Sequence, residues 1–174
     1  MRTWMTPIRV LGVVHNGVAR AYPLNLGWWH EVINDHIGDG FISVTYCPLT
    51  GTGLVFDANT DSGQLELGVS GLLLNSNLVL YDRRDDRSLY PQMTYVALVG
   101  DYRDESLQLL PVVETTWALW KRMHADTMVP RTAPVWNATV IVFAPITAAL
   151  SVFWKAPGAT RTTLTAQMIR STFR

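Results

Sequence analysis

Ile8-Arg9-Val10-Leu11-Gly12-Val13-Val14-His15-Asn16-Gly17-Val18-Ala19-Arg20-Ala21-Tyr22-Pro23 is the stretch that decides the class of fold. Apolar residues alternate from Ile8 to Val14, Asn16-Gly17 turns the chain, and Val18–Tyr22 returns before Pro23 stops it. Asn-Gly supplies the two positive-φ positions of a tight hairpin turn, so the two runs read as antiparallel strands. Working outward, Gly38-Asp39-Gly40 separates Trp29–Asp35 from Phe41–Tyr46, which predicts a second hairpin with Trp29–Asp35 as a strand rather than a helical turn. Pro48 and Gly51 mark Cys47-Pro48-Leu49-Thr50-Gly51 as a loop, Leu54–Phe56 resumes the sheet, and Asn59-Thr60-Asp61-Ser62-Gly63 turns it. Leu65, Leu67 and Val69 alternate with polar residues. Leu72–Tyr81 is an apolar run broken by Asn75-Ser76-Asn77, and Tyr95–Val99 and Leu107–Val113 read as further strands. One helix stands out, from Thr115 or Thr116 to His124, with a threonine cap and Trp117, Trp120 and His124 at helical spacing. The expected fold is mainly β (α+β): a compact antiparallel barrel or sandwich with one C-terminal helix packed on it.

The totals narrow the function. A chain of 174 residues fits one domain with a real core, and its formal net charge of zero argues against nucleic acid as a partner. The single cysteine, Cys47, excludes an internal disulfide framework and a thiolate-rich zinc site. Met1-Arg2-Thr3-Trp4-Met5 opens no apolar signal region, so no signal peptide is expected. The longest apolar stretch, Val135 to Trp154, is interrupted by Asn137, Thr139, Pro145, Thr147 and Ser151. It falls short of the roughly 20 apolar residues of a bilayer span, so the expectation is a soluble protein with no membrane span.

Charge is unevenly spread. All 14 acidic residues lie between Glu31 and Asp126, and the last 48 residues hold five basic residues and no acidic one. The chain therefore reads as a single β-rich domain over 1–129 and an atypical acid-free tail over 130–174. Two origins of the tail stay open: a natural extension, or an out-of-frame read, because shifting Pro134–Ala138 by two bases restores an acidic codon. In the second case Trp136–Phe153 is an acquired β-hairpin or a homodimer contact.

Chemistry concentrates in two neighbouring blocks, Trp28–Asp35 and Thr45–Thr52. Cys47 sits where a loop can aim a thiol. As a nucleophile it needs its pKa lowered by a cation or base, with His30 the natural partner; as a structural residue it is a small core hydrophobe. His30, Glu31 and Asp35 form a candidate metal set, since the two carboxylates converge on a strand face or at i, i+4 on a helix. Paired carboxylates suit calcium or magnesium, and an added imidazole shifts the preference to zinc or manganese. The alternative is a hydrogen-bonding brace for the Cys47 loop. Asn75 and Asn77, around Ser76, are candidate oxyanion donors or part of a β-bulge. Arg20 next to Tyr22, and Asp82 next to Arg83, read as a structural ion pair and its neighbours rather than catalysts, His124 as part of the helix's core face, and His15 and His36 as solvated turn residues.

Several blocks carry a family resemblance: Val10-Leu11-Gly12-Val13 with Ala19–Leu24, Trp29-His30-Glu31 with Asn34-Asp35, and Thr45-Tyr46-Cys47-Pro48-Leu49-Thr50-Gly51-Thr52. To these add Gly68–Leu72 with Asn75-Ser76-Asn77, Tyr81-Asp82-Arg83, and Thr116-Trp117 with Trp120-Lys121 and His124. From about Arg9 to Val129 the chain resembles domain-of-unknown-function family 3179 (DUF3179), found in bacteria and archaea. The resemblance implies an exported or periplasmic type of protein and no particular activity. Many members begin with an export signal, which this chain lacks, so its start reads as an internal one. The family form often carries a second cysteine where Thr50 stands, so a paired-thiol redox role or a two-sulfur metal site is not expected here.

Two functions compete. The first is a small hydrolase of an ester or lactone, with Cys47 attacking or a divalent metal (calcium or zinc) on His30, Glu31 and Asp35 activating water, and Asn75 or Asn77 steadying the oxyanion. Acyl homoserine lactones are one substrate class that a Trp- and Leu-lined slot suits. The second is a non-catalytic exported module that binds a small ligand, or a metal such as copper through Cys47 and His30; a plain interaction scaffold is the third. Gly-x-Ser-x-Gly, His-x-His-x-Asp and His-Glu-x-x-His are absent, as are phosphate cradles and dinucleotide fingerprints, so no organic cofactor is expected.

Overall fold

The computed structural model describes residues 8–130 and three short strands beyond them, Phe143–Ala144, Val152–Trp154 and Thr162–Leu164. The expectations for the tail, whether a natural extension or an out-of-frame hairpin or dimer contact over 136–153, otherwise lie outside the described residues.

Strands β1 (Arg9–His15) and β2 (Val18–Pro23) form the expected hairpin, with Asn16 and Gly17 at φ 50° and 75°. Helix α1 (Leu24–His30) follows, then β3 (Val32–Ile37) and β4 (Gly40–Cys47), joined by the expected turn at Gly38-Asp39. Strands β5 (Thr52–Asp57), β6 (Asn59–Thr60), β7 (Gly63–Gln64), β8 (Leu67–Leu74), β9 (Asn77–Asp82) and β10 (Leu89–Pro91) come next. Strands β11 (Leu109–Leu110) and β12 (Val112–Thr116) lead into α2 (Trp117–Met123), and β13 (Val129–Pro130) ends the continuous description.

Three antiparallel sheets carry the domain, in the orders β12-β1-β2, β11-β5-β4-β3 and β10-β9-β8. None of them closes on itself among the described residues, so the fold takes the sandwich form rather than the barrel. The four-stranded sheet lies in the middle, because both of its faces are buried. Ile33, Ile37, Ile42, Val44, Tyr46 and Val55 pack against Leu11, Val13 and Tyr22 of the first sheet. On the opposite face Val32, Cys47 and Phe56 pack against Leu67, Leu78, Leu80 and Tyr90 of the third. Strand β4 shows the period of two plainly: Ile42, Val44 and Tyr46 point one way, and Ser43, Thr45 and Cys47 the other. Burying an aliphatic side chain of this kind contributes about 1.5–3 kcal/mol, so the two cores hold the layers together.

Helix α2 covers the outside of the first sheet. Thr116 caps it, its hydroxyl accepting from the Leu119 N–H, and Trp120 is buried with Val10, Ala21 and Val129. Trp120 lies so close to β1 that a Cβ on Gly12 would stand 2.3 Å from its ring, so only glycine fits there. Its indole donates to Thr127 Oγ1 at 2.8 Å, and the His124 ring rests 4.1 Å from it.

Several sequence expectations are corrected. Trp29 and His30 belong to α1, not to a strand. Pro23 caps the helix with φ −58°, Leu24 and Gly27 form its buried face, and Glu31 at φ 57° reverses the chain into β3. Gly27 permits the approach, since a Cβ there would fall 2.7 Å from that of Tyr46. Tyr95–Val99 makes only isolated bridges, Val99 with Leu89 and Val96 with Ser106. Pro111, which lacks an N–H, splits Leu107–Val113, so that Leu109–Leu110 pairs with β5 and Val112–Thr116 with β1 in a different sheet. Asn75 and Ser76, both at positive φ, are the two-residue turn between β8 and β9; the bulge lies earlier in β8, between Val69 and Leu73.

Candidate functional site

Cys47 ends β4, pairs with Thr52, and is closed over by the four-residue loop Pro48–Gly51, which turns on Gly51 at φ 65°. Its side chain faces the third sheet and is 1% exposed. Leu49, Thr50 and Gly51 are themselves exposed, so the sulfur lies one residue beneath the surface. Burial pushes the thiol's pKa up. The Thr50 hydroxyl and the backbone N–H groups of Thr50, Leu78 and Leu49 donate to the sulfur and outweigh that effect, so the pKa falls below the ordinary 9.0. Groups from a loop and from a facing strand thus act together on one thiol and lower its pKa, the direction that raises a cysteine's reactivity.

A buried polar network supports that loop. Asn77, at the start of β9, donates through Nδ2 to Thr50 Oγ1 and to Gln92 Oε1, each at 2.9 Å. Gln92, fully buried just beyond β10, donates to Thr45 Oγ1 at 2.9 Å and to the Thr52 carbonyl at 3.1 Å, and Thr45 donates to the Leu54 carbonyl at 3.0 Å. Farther along the same face, Ser43 donates to Asn34 Oδ1 at 2.7 Å, and the Asn34 amide both donates to and accepts from the Leu67 backbone, at 2.8 and 3.1 Å. Ser43, Thr45 and Cys47 therefore form a row of small polar groups joining the central sheet to the third.

The other candidate residues fall elsewhere. His30 lines a cleft of about 400 Å³ with Asn34, Asp35, His36, Glu66 and Arg83, in which Cys47 takes no part. Burial alone lowers the His30 pKa below 6.5, which leaves a neutral imidazole at neutral pH. No hydrogen bond or charge links it to Cys47, so the expected dyad is not assembled. The Asp35 carboxylate is taken up by groups of β2 and of β3 itself. It accepts from the Tyr22 hydroxyl at 2.5 Å and from the His36 N–H at 2.7 Å, and pairs with Arg20 at 3.2 Å. Burial raises the Asp35 carboxyl above its ordinary 3.8, against the Tyr22 bond and the Arg20 charge, and the same burial raises Tyr22 well above 10.0. Glu31 occupies the strained junction between α1 and β3, and among the described residues no three of His, Cys, Asp and Glu gather as a metal-holding group. Asn75 is an exposed turn residue, and both N–H groups of Asn77 are already engaged, so neither presents a free amide donor at Cys47.

The remaining ion pairs are structural. Arg20 pairs with Asp35, and Asp82 pairs with Arg84. Arg84 also reaches Glu105 at 3.1 Å and lies 3.8 Å over the Tyr102 ring. His36 is exposed on β3 with its ring 4.7 Å from that of Phe41. Gln92 went unread in the sequence. Its one available signal was a lone amide directly after an apolar strand and a proline.

The fold and site define a class: a mainly β domain of three layered antiparallel sheets, with a single hydrogen-bonded thiol buried between the second and third. The chain belongs to the family described as "Protein of unknown function (DUF3179)", whose profile matches residues 4–137. The match takes in every block singled out above and leaves residues 138–174 outside. No curated protein and no solved structure matches the chain.

Proposed function

We propose that this protein is a cysteine-based hydrolase of a small ester or lactone, with Cys47 as the nucleophile. The observation that carries the reading is the convergence of the Thr50, Leu49 and Leu78 donors on the Cys47 sulfur, with its lowered pKa. A thiol whose pKa these donors lower gives up its proton more readily than an ordinary cysteine, so this reading assigns His30 no part in the first half-reaction. The sulfur adds to the carbonyl carbon, the ester C–O bond breaks, and the departing alkoxide takes a proton from water. A second water then adds to the thioester, which releases the acid and returns the thiolate; ester and water become acid and alcohol. Leu49 and Leu74 lie exposed beside the loop and the β8–β9 turn and offer an apolar rest for an acyl chain. The metal-dependent form of the expectation finds less support, because Asp35 is committed to Arg20 and Tyr22.

Hydrolysis of 4-nitrophenyl acetate and of γ-butyrolactone by wild type, Cys47→Ala and iodoacetamide-treated protein tests this reading. Turnover lost with either change to Cys47 supports it. Turnover that survives both assigns the chemistry elsewhere.

A second reading is a ligand-binding module without turnover. It is favoured by the separate cleft at His30, Asn34, His36, Glu66 and Arg83, which is polar and open. Saturable ligand binding abolished by His30→Ala but indifferent to Cys47→Ala would select it.

A further inference from the structure

The carboxamide of Asn77 has one atom that no protein group satisfies. The residue is 5% exposed, and its Oδ1 is buried without a hydrogen-bond partner. The orientation that creates this orphan is fixed by the network. The Thr52 carbonyl only accepts, so Gln92 must turn its Nε2 toward it, and Gln92 Oε1 then faces Asn77. Asn77 must meet that oxygen with Nδ2, whose second hydrogen goes to Thr50 Oγ1. Reversing the amide would set two oxygens against each other. Oδ1 is therefore left as an acceptor, held rigidly by an amide that braces the Cys47 loop at Thr50. The same amide bonds Thr50 through Nδ2, and Thr50 and the next residue along, Leu78, are both among the groups that lower the Cys47 pKa. A buried acceptor in this state calls for a donor from outside the chain.

We propose that Asn77 Oδ1 is the recognition point for a hydrogen-bond donor on the ligand that reaches Cys47. That selects carbonyl compounds bearing an N–H or O–H on the carbon next to the carbonyl, as in esters and lactones of N-acylamino or hydroxy acids. The inference rests on the reading of Cys47 as the reacting group, and it replaces the amide-donor role expected of Asn77. Asn77 accepts from the substrate, while the donors at this site, Thr50 and the backbone N–H groups, serve the sulfur. Gln92 acts through Asn77 as a positioning residue.

Two probes that differ in one group isolate the effect: N-acetylglycine ethyl ester, and ethyl acetoxyacetate, in which oxygen replaces the N–H. Each is titrated into ¹⁵N-labelled protein while the Asn77 side-chain amide signals are followed and ethanol release is measured in parallel. The expected result is binding of the N–H probe about tenfold tighter, the worth of one hydrogen bond to a buried acceptor, with the Asn77 signals moving only for that probe. In Asn77→Leu the two affinities become equal. Equal affinities in the wild type, or unmoved Asn77 signals, overturn the proposal without recourse to any variant, and mean that water satisfies Oδ1. Ordered binding with no ethanol released from either probe retires the hydrolase reading and leaves the recognition intact. Ethanol released from both at equal affinity does the reverse.

Discussion

Gln92 Nε2 donates to Thr45 Oγ1 at 2.9 Å, joining residues 47 apart in sequence across the interface of the central and third sheets. Both side chains are fully buried, so this bond and its neighbours hold the sheets in one register where apolar contacts alone would let them slide.

Replacing Gln92 by Leu keeps the volume and removes three side-chain hydrogen bonds, to the Thr52 carbonyl, Thr45 and Asn77. Each buried group left unsatisfied costs about 1–3 kcal/mol, and partial relaxation sets the expected loss at about 2–4 kcal/mol. Urea unfolding of wild type and Gln92→Leu measures it. A loss below about 0.5 kcal/mol, the scale of ordinary surface changes, would show that the network contributes nothing to stability.

Thr50→Val removes the hydroxyl donor at Cys47 and leaves the backbone donors. The Cys47 pKa, lowered below 9.0 in the native protein, moves back up, so iodoacetamide alkylation becomes half-maximal at higher pH and slows at neutrality. The sign for stability follows. A thiol whose folded pKa is depressed stabilises the native state above its unfolded value, and that contribution fades as pH falls through the folded value. The pH window of this gain is narrower in Thr50→Val. An unchanged alkylation profile would mean that the backbone N–H groups act alone.

Asp35 has the opposite sign. Burial raises its folded pKa above 3.8, so the native state binds more protons than the unfolded chain in the window between those values. The stability of wild type relative to Asp35→Asn is therefore greatest below about 3.8 and declines as pH rises through the raised native value. Urea midpoints of both proteins across the acid range report the slope. A difference that grows with pH would show that Arg20 and Tyr22 outweigh burial.

Local patterns made part of this legible. Asn16-Gly17 and Gly38-Asp39 specify their turns by themselves, because the positive-φ requirement is met by the residues in the turn. Thr116 and the spacing of Trp117 and Trp120 specify α2 in the same way. Helix α1 escaped notice because Leu24 and Gly27 show a helical face only once Tyr46 is known to press against it. His30, Glu31 and Asp35 do not gather into one group among the described residues, for a related reason. A helix end, a reversal at Glu31 and a strand follow each other too closely for neighbouring residues to share a direction.

By itself the sequence determined the hairpins, the capped helix, the mainly β class, the family and the singular position of Cys47, since each is written in contiguous residues. Only the tertiary structure decided what surrounds that cysteine. Leu78 and Asn77 reach the Cys47 loop from a strand of another sheet and Gln92 from just beyond one, and the hydrogen bonds that tune the thiol depend on how two sheets stack rather than on any local spacing.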